Sequence, residues 1–180
     1  MKVLAFGASN STTSINQKLA HYAANLLDGA SITGLDLNDY EMPLFSVERE
    51  KAIGQHELAL AFREQIAQAD ALIISFAEHN GSYSVAFKNV FDWASRIDSK
   101  VYQQKPVVFL STSPGSRGGA GVLATATSSA PHFGAEVVAS VAVPSFQKNF
   151  DMESGRPSNP EIVEQIREAM MQLRDVLNTD

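Results

Sequence analysis

The chain has 180 residues, 44% hydrophobic and 19% charged, the proportions of an ordinary globular protein, which disfavours disorder. Its formal charge of −6 opposes polyphosphate backbones, and no Lys/Arg cluster offsets it locally, so general nucleic-acid binding is disfavoured too. The sequence contains no cysteine, which removes disulfides, thiolate nucleophiles and cysteine-ligated clusters and leaves any redox chemistry to a cofactor.

The length suits one domain over residues 1–180. The early apolar stretch at 3–6 is too short for a signal-peptide core, and no apolar run approaches a membrane span. A soluble, cytoplasmic protein is the expectation.

In chain order, residues 2–7 form a short apolar run closed by Gly7. Ile15, Leu19, Tyr22, Ala23, Leu26 and Leu27 follow at helical spacing, which predicts strand, loop and helix. Residues 30–37 alternate as a second strand before a polar loop with Asn38, Asp39 and Pro43. A helix over about 52–68 leads into an apolar third strand at 71–76, closed by Glu78-His79-Asn80-Gly81. The spacing predicts a helix over 84–97, a fourth strand over 106–110, a glycine-rich break at 113–119, a helix from about 120 and a fifth strand over 135–143. Asn159-Pro160-Glu161 then supplies an N-cap, a first-turn proline and an early acid before Ile162, Ile166, Met170, Leu173 and Leu177. Alternating strands and helices with mostly uncharged strands predict a doubly wound α/β fold. The expected form is a flavodoxin-like five-stranded parallel sheet, order 2-1-3-4-5, with helices on both faces.

In such sheets ligands bind beyond the carboxyl ends of the strands, which singles out three loops. The first, 7–16, offers Ser9, Ser11, Ser14 and the helix-start residues Ile15 and Asn16 without one charged side chain. Hydroxyls and amides there suit a phosphate dianion, or simply cap a helix. The phosphate-loop signature of nucleotide hydrolases is missing. The second loop carries Glu78, His79, Asn80, Gly81 and Ser82, where a flat ligand could approach the backbone. His79 has no partner in sequence that would make it a general base, and the backbone of Glu78 is a better contact than its carboxylate. The third loop places Ser113, Pro114 and Gly115 after the fourth strand, with Arg117 beside them. A Gly-x-Gly-x-x-Ala match at 119–124 follows the wrong strand for a dinucleotide fingerprint. The four histidines show no ligand spacing, so no metal is expected.

Taken together, Gly7-Ala8-Ser9 through Ser14-Ile15-Asn16, Glu78-x-Asn80-Gly81-Ser82, Lys88-Asn89-x-x-Asp92-Trp93 and Ser113-Pro114-Gly115 resemble the NAD(P)H-dependent FMN reductase family. The resemblance implies that Ser9, Ser11, Ser14 and Asn16 hold the phosphate of FMN, that residues 78–82 border the isoalloxazine, and that residues 113–115 approach its far side. It implies NADPH or NADH as co-substrate, hydride passing to the flavin N5 with no catalytic side chain, and a small acceptor: a quinone, azo or nitro compound, metal oxyanion or free flavin. It also implies a homodimer or homotetramer, with the helix of Lys88, Asn89, Asp92 and Trp93 near a subunit contact. Asn10 stands where the family commonly has arginine, and Ala77-Glu78-His79-Asn80 replaces its usual Pro-Glu-Tyr-Asn. The rival reading is a flavodoxin-type FMN electron carrier that does not oxidise nicotinamide. Arg117 is the cationic candidate for the NADPH 2′-phosphate, or a solvated turn arginine.

Overall fold

A computed structural model describes residues 1–179. Its centre is a five-stranded sheet made of β1 (Lys2–Ala8), β2 (Ser31–Gly34), β3 (Ala71–Phe76), β4 (Lys105–Thr112) and β5 (Ala135–Val143). All pairs are parallel and the spatial order is β2-β1-β3-β4-β5, the order expected from the sequence. The direction of winding therefore reverses between β1 and β3.

Both faces of the central strands are buried, so alternate residues feed two cores. Leu4, Phe6, Leu72, Ile74 and Phe109 meet α3 (Glu57–Gln68), α4 (Val85–Ile97) and α5 (Ala120–Ser129) through Phe62, Ile66, Phe87, Trp93 and Val122. Val3, Ala5, Ile73, Val108 and Leu110 meet α1 (Ile15–Ala24) and α7 (Pro160–Leu177) through Leu19, Ile166, Met170 and Leu173. Each such large side chain contributes about 1.5–3 kcal/mol by leaving water. The helix α7 opens as its sequence predicts: Asn159 Oδ1 accepts from Glu161 N at 3.0 Å, with Pro160 in the first turn.

Several boundaries differ from the sequence expectation. The helix expected over 52–68 is two helices, α2 (Val47–Ile53) and α3. Gly54, at φ 72°, ends the first, and the ring of His56 starts the second by accepting from Leu58 N at 3.2 Å. The strand expected over 30–37 stops at Gly34, and Leu37 begins a 3₁₀ turn capped by Asp36. The first helix ends at Ala24, short of Leu26 and Leu27. Conversely β4 runs on through Ser111 and Thr112. These two hydroxyls are buried at no cost in unpaired groups, because Ser111 Oγ donates to Gly118 O and Thr112 Oγ1 to Val143 O, both at 2.7 Å. Between β5 and α7 lie the short α6 (Phe146–Asn149) and a two-stranded ladder, Phe150–Asp151 with Arg156–Pro157.

The helix motif Lys88-Asn89-x-x-Asp92-Trp93 fastens a loop. Asn89 Oδ1 accepts from Phe45 N at 2.9 Å, its Nδ2 donates to Met42 O at 3.0 Å, and the indole of Trp93 donates to Pro43 O at 2.8 Å. Trp93 is thus core packing in this chain, while Lys88 and Asp92 form an i,i+4 ion pair at 2.7 Å on the surface. Among the described residues no helix is long and apolar enough to cross a membrane.

Where β1 ends, the strand passes so near the first turn of α1 that only glycine fits. A Cβ on Gly7 would overlap Gln17 N and lie 2.8 Å from Gln17 Cα, and Gly7 N donates to Gln17 Oε1 at 2.6 Å. Gly7→Ala should therefore cost about 1–3 kcal/mol. The check is a urea titration with a lower midpoint and an unchanged slope.

Candidate functional site

Three loops leave the carboxyl ends of β1, β3 and β4, beside the switch in strand order. In the first, the five hydroxyl residues Ser9, Ser11, Thr12, Thr13 and Ser14 line a cavity of about 130 Å³ together with Gln17, Lys18 and Asp36. The loop is shaped by its own polar groups: Ser11 N donates to Ser9 Oγ and Ser14 N to Ser11 O, both at 3.1 Å. Ser14 Oγ caps α1 by accepting from Gln17 N at 3.1 Å. The amides of Ile15 and Asn16, first in the helix, have no partner inside it and remain available to an anion. Lys18 and Asp36 reach the cavity from outside the loop, and sequence spacing gave no sign of them. Their charges offset each other, so the cradle stays close to neutral.

Asn16 does something the sequence did not indicate. Its side chain is buried, with Oδ1 accepting from Ser75 Oγ at 2.7 Å and from Thr112 N at 3.0 Å, while Nδ2 donates to Thr112 O at 3.2 Å. The carboxamide thereby ties the start of α1 to the ends of β3 and β4. What Asn16 can offer an anion is its backbone amide.

The second loop is a tight hairpin, with Glu78–His79 antiparallel to Ser82–Tyr83. Asn80 and Gly81 between them have φ of 52° and 79°, the paired positive values of a two-residue turn that Asn-Gly adopts readily. That dipeptide is a sequence signal for a hairpin, yet the two-residue arms are too short to show alternation. The turn holds Asn80, Gly81 and Ser82 out in solvent. Behind it Ser84, fully buried, donates to Ala8 O at 2.7 Å and accepts from Phe87 N at 3.2 Å. Ser84 so links the first loop to α4; its place just before a helical run was the available clue. The carboxylate of Glu78 turns inward and accepts from Val122 N at 3.1 Å.

The third loop exposes Pro114, Gly115, Ser116 and Arg117, with Ser113 half-buried. It is held from behind by β5 and α6: Gly115 O accepts from Ser145 N at 2.8 Å and Ser113 O from Phe146 N at 3.0 Å. Gly118, at φ 58°, lies so near β5 that a Cβ would stand 2.6 Å from Val143 O. Arg117 thus projects from a braced turn.

A second cavity, of about 270 Å³, opens between the first two loops and the segment after β2. Asn10 and His79, two of the positions that depart from the pattern of the resembled family, both line it, with Tyr40, Leu44, Val85 and Asn89. Burial, and then the charge of Asp39, pushes the Tyr40 phenol above its usual range, so it stays a neutral hydroxyl at physiological pH.

The family model for NADPH-dependent FMN reductases matches residues 1–149. Over 119 residues the chain is 36% identical to an NAD(P)H-dependent FMN reductase of Pseudomonas aeruginosa, a stretch covering 66% of this chain and 63% of that protein. It is 35% identical over 120 residues to a 2-hydroxy-1,4-benzoquinone reductase of a Burkholderia species, with the same two shares. The matched stretches thus span less than two thirds of those relatives. In three dimensions the chain resembles a flavoenzyme NAD(P)H:(acceptor) oxidoreductase from Paracoccus denitrificans, with a TM-score of 0.80, 22% identity and coverage of 99% of this chain and 97% of that one.

The brace built on Asn16 is directly testable. Asn16→Ala leaves the buried Thr112 N–H and Ser75 hydroxyl without their acceptor, and should cost about 2–3 kcal/mol. Thermal unfolding would report it as a lower Tm, in the absence of any ligand.

Proposed function

The chain belongs to the NADPH-dependent FMN reductase family, and on that premise we propose that it is an NAD(P)H-dependent oxidoreductase holding one FMN across the three loops and reducing a small acceptor of the quinone class. When bound, FMN supplies hydride acceptance from the nicotinamide and electron delivery to the acceptor.

The observation that carries this reading is the neutral cradle of the first loop. A monophosphate needs several N–H and O–H donors converging at a helix start, and Ser9, Ser11, Thr12, Thr13 and Ser14 surround such a space beside the free amides of Ile15 and Asn16. In the proposed complex Ser9, Ser11 and Ser14 bind the phosphate through hydroxyls, and Ile15 and Asn16 through backbone amides. Glu78, His79, Asn80, Gly81 and Ser82 border one side of the ring system, and Ser113, Pro114 and Gly115 the other. The donors this chain brings to the ring are backbone amides on braced turns, fixed before any ligand arrives, which is the arrangement that stabilises developing negative charge without a titrating side chain.

A quinone-class acceptor accords with relatives named 2-hydroxy-1,4-benzoquinone reductase and, in Arabidopsis thaliana, NADPH:quinone oxidoreductase. The carrier alternative lacks such support, since the family is one of reductases. Assembly into a homodimer or homotetramer belongs to the same reading: Leu44 and Val85 at the second cavity are 59% and 67% exposed, apolar side chains that a subunit contact would cover. A cytoplasmic setting, where reduced nicotinamides are available, completes it.

Two experiments test the proposal. Protein loaded with FMN and desalted should keep its flavin absorbance and lose it within the mixing time when NADPH or NADH is added without oxygen; retained flavin that stays oxidised would make the chain a carrier. Arg117→Ala should raise the KM for NADPH about tenfold, as expected for losing a paired guanidinium–phosphate contact, and leave that for NADH unchanged. Equal effects on both would remove Arg117 from the 2′-phosphate.

A further inference from the structure

The hairpin after β3 and the glycine-rich turn after β4 are joined by one side chain. Glu78 Oε1 crosses from the hairpin and accepts from Val122 N at 3.1 Å, in the first turn of α5. That helix has no side-chain cap of its own: its N-cap is Gly119, at φ 77°. The missing cap therefore comes from another element, as a carboxylate at the positive end of the helix.

One glycine makes room for it. A Cβ on Gly121 would overlap Glu78 Oε1, whereas a Cβ on Gly119 would stand at an ordinary contact distance of 3.7 Å from Glu78 Cβ. Glycine is a poorer helix residue than alanine, so Gly121 in the first turn of α5 calls for a local reason, and the carboxylate is the atom group that occupies the space. Because Ala120 N donates to Arg117 O at 3.0 Å, the start of α5 carries the glycine-rich turn with it. Whatever fixes that helix start against the hairpin also fixes the gap between the two loops.

Resting on the reading of these loops as the borders of the isoalloxazine, we infer that Glu78 is a positioning residue: its carboxylate is a strut from the hairpin to α5 that sets the width of the flavin slot, and Gly121 is glycine to admit it. The strut acts through backbone placement. Gly121→Ala should then evict the flexible carboxylate rather than disturb the backbone, and so reproduce Glu78→Ala. Glu78→Gln, whose amide oxygen still accepts from Val122 N, should preserve most of the effect.

The test uses the full chain in four variants: Glu78→Gln, Glu78→Ala, Gly121→Ala and the double Glu78→Ala/Gly121→Ala. Amide exchange at Val122, measured by NMR on flavin-free protein, reads the strut itself. It should speed up at least about tenfold in Glu78→Ala and Gly121→Ala and less than about threefold in Glu78→Gln. FMN affinity, followed by quenching of flavin fluorescence, reads the slot. The Kd should rise about tenfold in each of the two disrupting variants and no further in the double, since both remove one interaction. Unchanged exchange at Val122, or exchange that speeds up with FMN affinity untouched, overturns the inference. So do losses that add in the double variant, because Gly121 would then act on its own. Wild-type protein that takes up no FMN would instead overturn the functional reading, and the inference with it, whatever the exchange data show.

Discussion

The carboxamide of Asn16 is spent entirely inside the protein, accepting from Ser75 and from the backbone of Thr112 and donating back to the carbonyl of that same residue. These bonds join the start of α1 to the carboxyl ends of β3 and β4, beside the point where the strand order reverses. A parallel sheet covered on both faces directs its connections to its two ends, but nothing in that rule keeps the connections at one end in mutual register. Asn16 does so, by making the first turn of α1 answer to the ends of β3 and β4. Were it to loosen, the amides of Ile15 and Asn16 would lose their fixed direction, and the hydroxyls of the first loop would surround no defined space. Ser84 and Glu78 extend the same principle outward, one to the end of β1 and the other to α5.

Each brace is a side chain bonded to a backbone group from a distant part of the chain, and that is why so little of it could be read in advance. The fold was legible because it rests on local patterns: apolar runs bounded by glycine and polar residues for β3 and β5, and Asn159-Pro160-Glu161 for the start of α7. Where the local pattern was ambiguous the reading slipped. Residues 52–68 are amphipathic enough to suggest one helix, and only the left-handed backbone at Gly54 and the capping ring of His56 divide them. Ser111 and Thr112 look too polar for a buried strand until their hydroxyls are seen to be satisfied.

The candidate site divides in the same way. Its three loops were legible, since a doubly wound sheet dictates where ligands go and Ser, Thr and Gly cluster there. The division of labour among residues was not. The side chain of Asn16, expected at the phosphate, is engaged in bracing; that of Glu78, whose backbone was the expected contact, reaches an amide 44 residues away; and Lys18 and Asp36 both line the cradle. Asn10 and His79, which depart from the family pattern at separate points of the chain, line one cavity, so the two changes alter a single surface.

The first loop, as a phosphate cradle made of neutral donors, should distinguish flavins by their phosphate. Calorimetric titration of the flavin-free protein with FMN and with riboflavin, side by side, separates the phosphate from the ring system. FMN should bind at least about a hundredfold more tightly, the worth of two charge-assisted hydrogen bonds, with modest dependence on salt because no excess of charged side chains makes the contact. Equal affinities for the two flavins would contradict it, and would take the phosphate away from residues 9–16.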